Sequence, residues 1–122
     1  MAWQDIAITI ITFLLAVMLL PQLQDVLHRG AVVNFFTASF TSLLAFSLSF
    51  IFASLGLWIS VIGQSSVAVI WLLLAYYSIR NVRNAQFPDE SLLAVARDFL
   101  IVWMQGVMFL ATDYTRRLLG RV

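Results

Sequence analysis

The chain has 122 residues, 62% of them hydrophobic and only 11% charged, with a mean hydropathy of +0.97. A soluble domain carries about 25% charged residues, so there is too little polar surface here to cover a soluble core, and the composition reads as a single-domain polytopic membrane protein. A net charge of +1 excludes the dense basic patch that nucleic acid requires, and the absence of cysteine removes disulfides, thiolate metal sites and cysteine nucleophiles.

The predicted architecture is all-α: three transmembrane helices followed by a long amphipathic helix. The first span covers about residues 6–27, a run that no basic stretch or small-residue cleavage motif marks as a removable leader. Pro21 cannot donate a backbone hydrogen bond and is expected to kink or end this helix, with Gln22, Gln24 and Asp25 at its interfacial end and Gly30 as a stop.

From Gly30 to Ile79 no residue is charged. This stretch is too long for one crossing at ~1.5 Å per residue and fits two, over about residues 34–56 and 61–79. In the second span Thr41, Ala45, Ser49 and Ala53 recur every four residues, and Ser42, Ser49 and Gly56 extend the face at seven-residue spacing, a smooth ridge for another helix to pack on. The return is expected within GLWISVIGQSS, where Gly56, Ser60, Gly63 and Gln64 are candidate breakers and Trp58 suits a membrane interface. Arg29 lies in the loop after span one, and Arg80 and Arg83 follow span three. The positive-inside rule then places the N-terminus outside and these loops in the cytoplasm, across an inner, cytoplasmic-type membrane. Residues 1–83 thus form a three-helix bundle, and residues 84–122 a polar loop plus the final helix.

Pro88 suits the first position of that helix and Asp89 and Glu90 its positive end, giving a helix over about residues 88–119. Glu90, Arg97, Asp98, Gln105, Thr112 and Arg116 fall in one sector of about 120°, opposite an apolar face that includes Phe99, Trp103, Val107 and Leu110. Two placements stay open. An interfacial helix keeps the arginines on the cytoplasmic side, whereas the apolar run FLIVWMQGVMFLAT suits a fourth span with its polar stripe against a partner.

Catalytic chemistry is sparse. His28 is the one histidine, it lies outside the spans, and it gives a pigment or metal no seat; the carboxylates form no catalytic pair, and no phosphate loop, metal-ligand spacing or nucleophile elbow occurs. The reading is of a non-enzyme with no metal and no evident cofactor beyond bound lipid. Its partners are membrane lipids and either other membrane subunits or further copies of itself.

A short span ending in Leu20-Pro21-Gln22, followed by an uncharged hairpin carrying Leu57-Trp58, resembles the PQ-loop family over residues 5–83. Its smallest members, the SemiSWEET sugar transporters, are three-helix bundles acting as dimers. The resemblance implies Pro21 as a hinge for alternating access, with Gln22 beside it, and Trp58 near a sugar site. The third span lacks the family's sugar-binding asparagine, Gln64 being its only amide, and the helix after Pro88 has no counterpart there. Three functions follow: an accessory or structural subunit of a larger membrane complex; a small PQ-loop-like solute transporter acting as a homodimer; and a holin-like pore former built on the polar stripe.

Overall fold

The computed structural model describes residues 2–120. They form four α-helices and no strand: α1 Trp3–His28, α2 Phe35–Ser54, α3 Trp58–Gln86 and α4 Leu92–Leu119. Each of the four is long and apolar enough to cross a membrane.

α1 ends within a residue of the expected 27, and the boundaries after it differ from the sequence expectation in three places, each for a local reason. α1 continues through Pro21 to His28. Proline fits helical φ and removes one donor, but the turns on either side keep their bonds, and the helix stops only before Gly30, whose φ is +69°. The α2–α3 return is shorter than GLWISVIGQSS. Gly56 adopts φ +75°, Leu57 N donates to Phe52 O at 2.9 Å and Gly56 N to Ala53 O at 3.0 Å, so one glycine closes α2 and reverses the chain. Ser60, Gly63 and Gln64 therefore lie inside α3.

α3 also runs past Ile79 to Gln86, taking in most of the expected polar loop. Arginine and asparagine end the apolar run, but nothing in them ends a helix. Finally, α4 begins at Leu92, not Pro88. Pro88–Glu90 form a turn with Glu90 N bonded to Phe87 O at 3.1 Å, and Ser91 Oγ caps the helix by accepting from Ala94 N at 3.1 Å.

α3 is the central element. α1 packs on one side of it and α2 on another, while α1 and α2 do not pack on each other. Bonds from Ser60 to Asp5 and from Asn81 to Val26 show that α1 and α3 run in the same direction. Bonds pairing Ser42 with Ala68 and Ser49 with Ser65 show that α2 runs antiparallel to α3. On α1 the buried residues are Asp5, Thr12, Ala16 and Val26, and with the half-buried Thr9, Leu19 and Leu23 they form a row spaced alternately by four and three, the rhythm of a left-handed helix seam; Ala7, Ile8 and Asp25 are half-buried beside it.

Five of the ten buried apolar residues are alanine, so close approach of backbones, not bulky interdigitation, shapes the contacts. Thr12 and Gly63 mark one close approach: a Cβ on Gly63 would overlap Thr12 Oγ1. Large apolar residues such as Phe13, Leu44, Phe50 and Ile62 face outward. Small-residue contacts of this kind, joined by interhelical hydrogen bonds, are the usual means of association between helices apolar enough to cross a membrane.

Candidate functional site

Polar side chains gather at the two ends of the α1–α3 seam. At the first end α3 starts without a cap of its own, since Leu57 offers no side-chain acceptor. Asp5 of α1 supplies one. Its Oδ1 accepts from Ser60 N at 2.9 Å and from Ser60 Oγ, which also lies 3.1 Å from Asp5 O. Asp5 is 3% exposed and Ser60 fully buried. Because α1 and α3 are parallel, their positive N-terminal ends are neighbours, and one carboxylate serves both. Thr9 and Thr12 satisfy their hydroxyls on the preceding turn of α1, so the seam continues below Asp5 without an orphaned hydroxyl.

The other end is the mirror case. Asn81 Nδ2 donates to Val26 O at 2.8 Å and to Ala31 O at 3.0 Å, so α3 caps the last turn of α1. Val33 N donates to Ser78 Oγ at 3.0 Å, fixing the link to α2. Arg29, Arg80 and Arg83 lie at this end, where the negative ends of α1 and α3 meet. Arg80 stacks on the Tyr77 ring with its guanidinium carbon 4.5 Å from the centroid.

On α2 the residues buried against α3 are Ala38, Ser42, Ala45 and Ser49. Ser42 Oγ donates to Ala68 O at 2.9 Å and Ser65 Oγ to Ser49 Oγ at 3.3 Å. Of the small-residue ridge, Ala45 and Ser49 sit in this contact, Thr41 and Ala53 are half-buried at its flank and Gly56 is exposed in the turn. The contact follows the true helical period of alternate fours and threes, which drifts off a strict four-residue ridge.

Pro21, Gln22 and Trp58 are not brought together. Trp58 opens α3 beside the Asp5 end and is exposed; Pro21 and Gln22, also exposed, lie about 24 Å further along α1 at ~1.5 Å per residue. His28 is exposed at the end of α1, and among the described residues no group of three His, Cys, Asp or Glu could hold a metal ion.

α4 meets the rest of the protein only through its first half. Phe99 sets its ring edge-on to Phe35 at 6.2 Å and Trp103 stacks on Phe36 at 6.1 Å, so α4 docks on the start of α2 and the end of α3. Val95 is its only buried residue. From Ile101 to Leu119 every residue except the half-buried Asp113 is exposed, including Phe109 at 70% and Leu110 at 67%. Of the polar stripe, Glu90 falls in the turn before the helix and Arg97 pairs loosely with Asp98 at 3.5 Å. Gln105 and Arg116 are exposed, and Thr112 bonds to its own helix at Met108 O.

Sequence reasoning alone passes over Asp5, Ser60 and Asn81 as site residues. Asp5 does carry a signal, as the one acid in the first turn of an otherwise apolar span. No protein-family model, curated protein or solved structure matches the chain.

Proposed function

We propose that the chain is a non-catalytic membrane subunit in which α1–α3 form a three-span anchor and α4 is the arm that engages other subunits of a larger complex. The carrying observation is the uncovered second half of α4, whose apolar residues from Val107 to Leu119 are all exposed. Apolar faces of this length are partner or membrane contacts. The antiparallel α2 between parallel α1 and α3 suits three alternating crossings. Arg29, Arg80 and Arg83 at one end orient that end to the cytoplasm and the Asp5–Trp58 end outward. α4 docks at the arginine end, which favours its lying along the cytoplasmic surface over a fourth crossing packed down the bundle. Native gel electrophoresis from membranes in mild detergent tests the reading: migration within a large assembly supports it, and migration as a free monomer or dimer refutes it.

A second reading, a PQ-loop-like transporter acting as a homodimer, draws on the open side of the bundle. α1 and α2 do not meet, and a second copy would close the space between them. Solute uptake in liposomes that falls on Pro21→Ala and on Trp58→Ala would favour it over the subunit reading.

A further inference from the structure

Where α4 leaves the bundle, the end of α3, the turn at Phe87–Glu90 and the first half of α4 form a cavity of about 360 Å³. Its volume falls within the ~300–1,000 Å³ range of small-molecule sites. Three aromatic residues, Phe87, Phe99 and Trp103, line it, with Val95 contributing an apolar, buried side chain. The two acidic residues among those lining it are Glu90 and Asp98, and no basic residue lines it.

We propose that this cavity binds a lipophilic organic cation, a quaternary ammonium or phosphonium carrying apolar substituents. Aromatic faces attract a cation through their quadrupole and are its apolar solvent at the same time. Carboxylates add charge attraction without demanding a hydrogen-bond donor, which such cations lack. Glu90 has no ion-pair partner among the described residues. Asp98 has one, Arg97, but the contact is 3.5 Å long between side chains 69% and 60% exposed, a pairing that water weakens and a ligand can displace. An anion would face both carboxylates, and a phosphocholine headgroup would bring its phosphate against them, so the charge pattern selects a free cation. Because the cavity spans three segments, a bound cation also joins α4 to the bundle.

The test is equilibrium dialysis of the purified chain in a non-ionic detergent, against protein-free micelles, with tetraphenylphosphonium and with tetraphenylborate, an anion of nearly the same shape. Saturable binding of the phosphonium at least tenfold tighter than the borate is expected. The double variant Glu90→Gln/Asp98→Asn should lose at least tenfold in phosphonium affinity. Both acids are exposed, and helix content by circular dichroism verifies that the fold is kept. Trp103→Leu should weaken binding with both carboxylates intact. Uptake no greater than that of empty micelles, equal affinity for the two ions, or unchanged binding by the double variant would each overturn the proposal.

Discussion

Asp5 and Ser60, fifty-five positions apart, close the N-terminus of α3 with a cap borrowed from α1: the Asp5 carboxylate accepts from Ser60 N at 2.9 Å and from the Ser60 hydroxyl. Replacing Asp5 by alanine leaves a buried backbone donor unsatisfied and removes charge from two helix ends at once. Asp5→Ala should destabilise the protein by about 2 kcal/mol, the cost of losing a cap and so leaving a buried N–H without an acceptor. Asp5→Asn keeps an acceptor and should cost about 1 kcal/mol. Unfolding in mixed detergent micelles, followed by circular dichroism, measures both; an Asp5→Asn variant as stable as the parent would mean that the carboxylate charge contributes nothing at the paired helix ends.

Gly63 and Thr12 make a second link of the same seam, and a steric one. Alanine at Gly63 overlaps Thr12 Oγ1, whereas Thr12 Cβ stands 3.4 Å away, a tight but ordinary contact. Gly63→Ala should destabilise by about 2 kcal/mol, as overpacking does. Adding Thr12→Ala should recover about half of that, because the clashing oxygen is gone. A double-mutant cycle reads this as a favourable coupling of about 1 kcal/mol plus whatever Thr12→Ala costs on its own. Additive effects would mean that the helices simply move apart.

How far such features are legible in the sequence depends on the range of the interaction. The four apolar segments follow from composition, since each must carry its own hydrophobic run. Gly56 as the reversing residue is equally local. Asp5 is different: from sequence it is one acid in a first helical turn, and only the parallel pairing of α1 with α3 gives it Ser60. Hydropathy misplaces the ends of α3 because it marks where apolar residues stop, and helices end for other reasons, at caps and at positive-φ glycines. Ser91 shows the same for α4: its hydroxyl, not Pro88, starts the helix. A strict four-residue ridge on α2 ignores the drift of a 3.6-residue period: Ser42, which the seven-residue spacing to Ser49 already marks, sits in the contact, and so does Ala38, which neither spacing marks.

Asn81 holds the arginine end of the seam with one side-chain amide bonded to Val26 O and Ala31 O. Asn81→Asp substitutes acceptors for the donor, sets a carboxylate against two carbonyls and adds negative charge where two helix C-termini already meet. Asn81→Leu loses the donor alone. The aspartate variant should therefore be the worse of the two, by about 1 kcal/mol. Hydrogen exchange at the end of α1 gives a local readout, with amides near Arg29 and Ala31 losing protection first. The reverse order, leucine more damaging than aspartate, would assign the site to packing volume and not to hydrogen bonding.

The placement of α4 is open to a chemical test, because the chain holds no cysteine and single cysteines can be introduced cleanly. Leu55 lies exposed in the α2–α3 turn, at the end with no arginine, and Thr112 and Arg116 lie on the free half of α4. With three crossings and α4 on the cytoplasmic side, Leu55→Cys should react with a membrane-impermeant maleimide added to intact cells. Thr112→Cys and Arg116→Cys should react only after the membrane is opened. With four crossings the second half of α4 reaches the outer surface, and Arg116→Cys would react in intact cells. None of the three substituted side chains is buried, so all three variants should fold as the parent does. Labelling of Arg116→Cys from outside would remove the cytoplasmic arm from the proposed function and turn the polar stripe of α4 into an intramembrane contact surface.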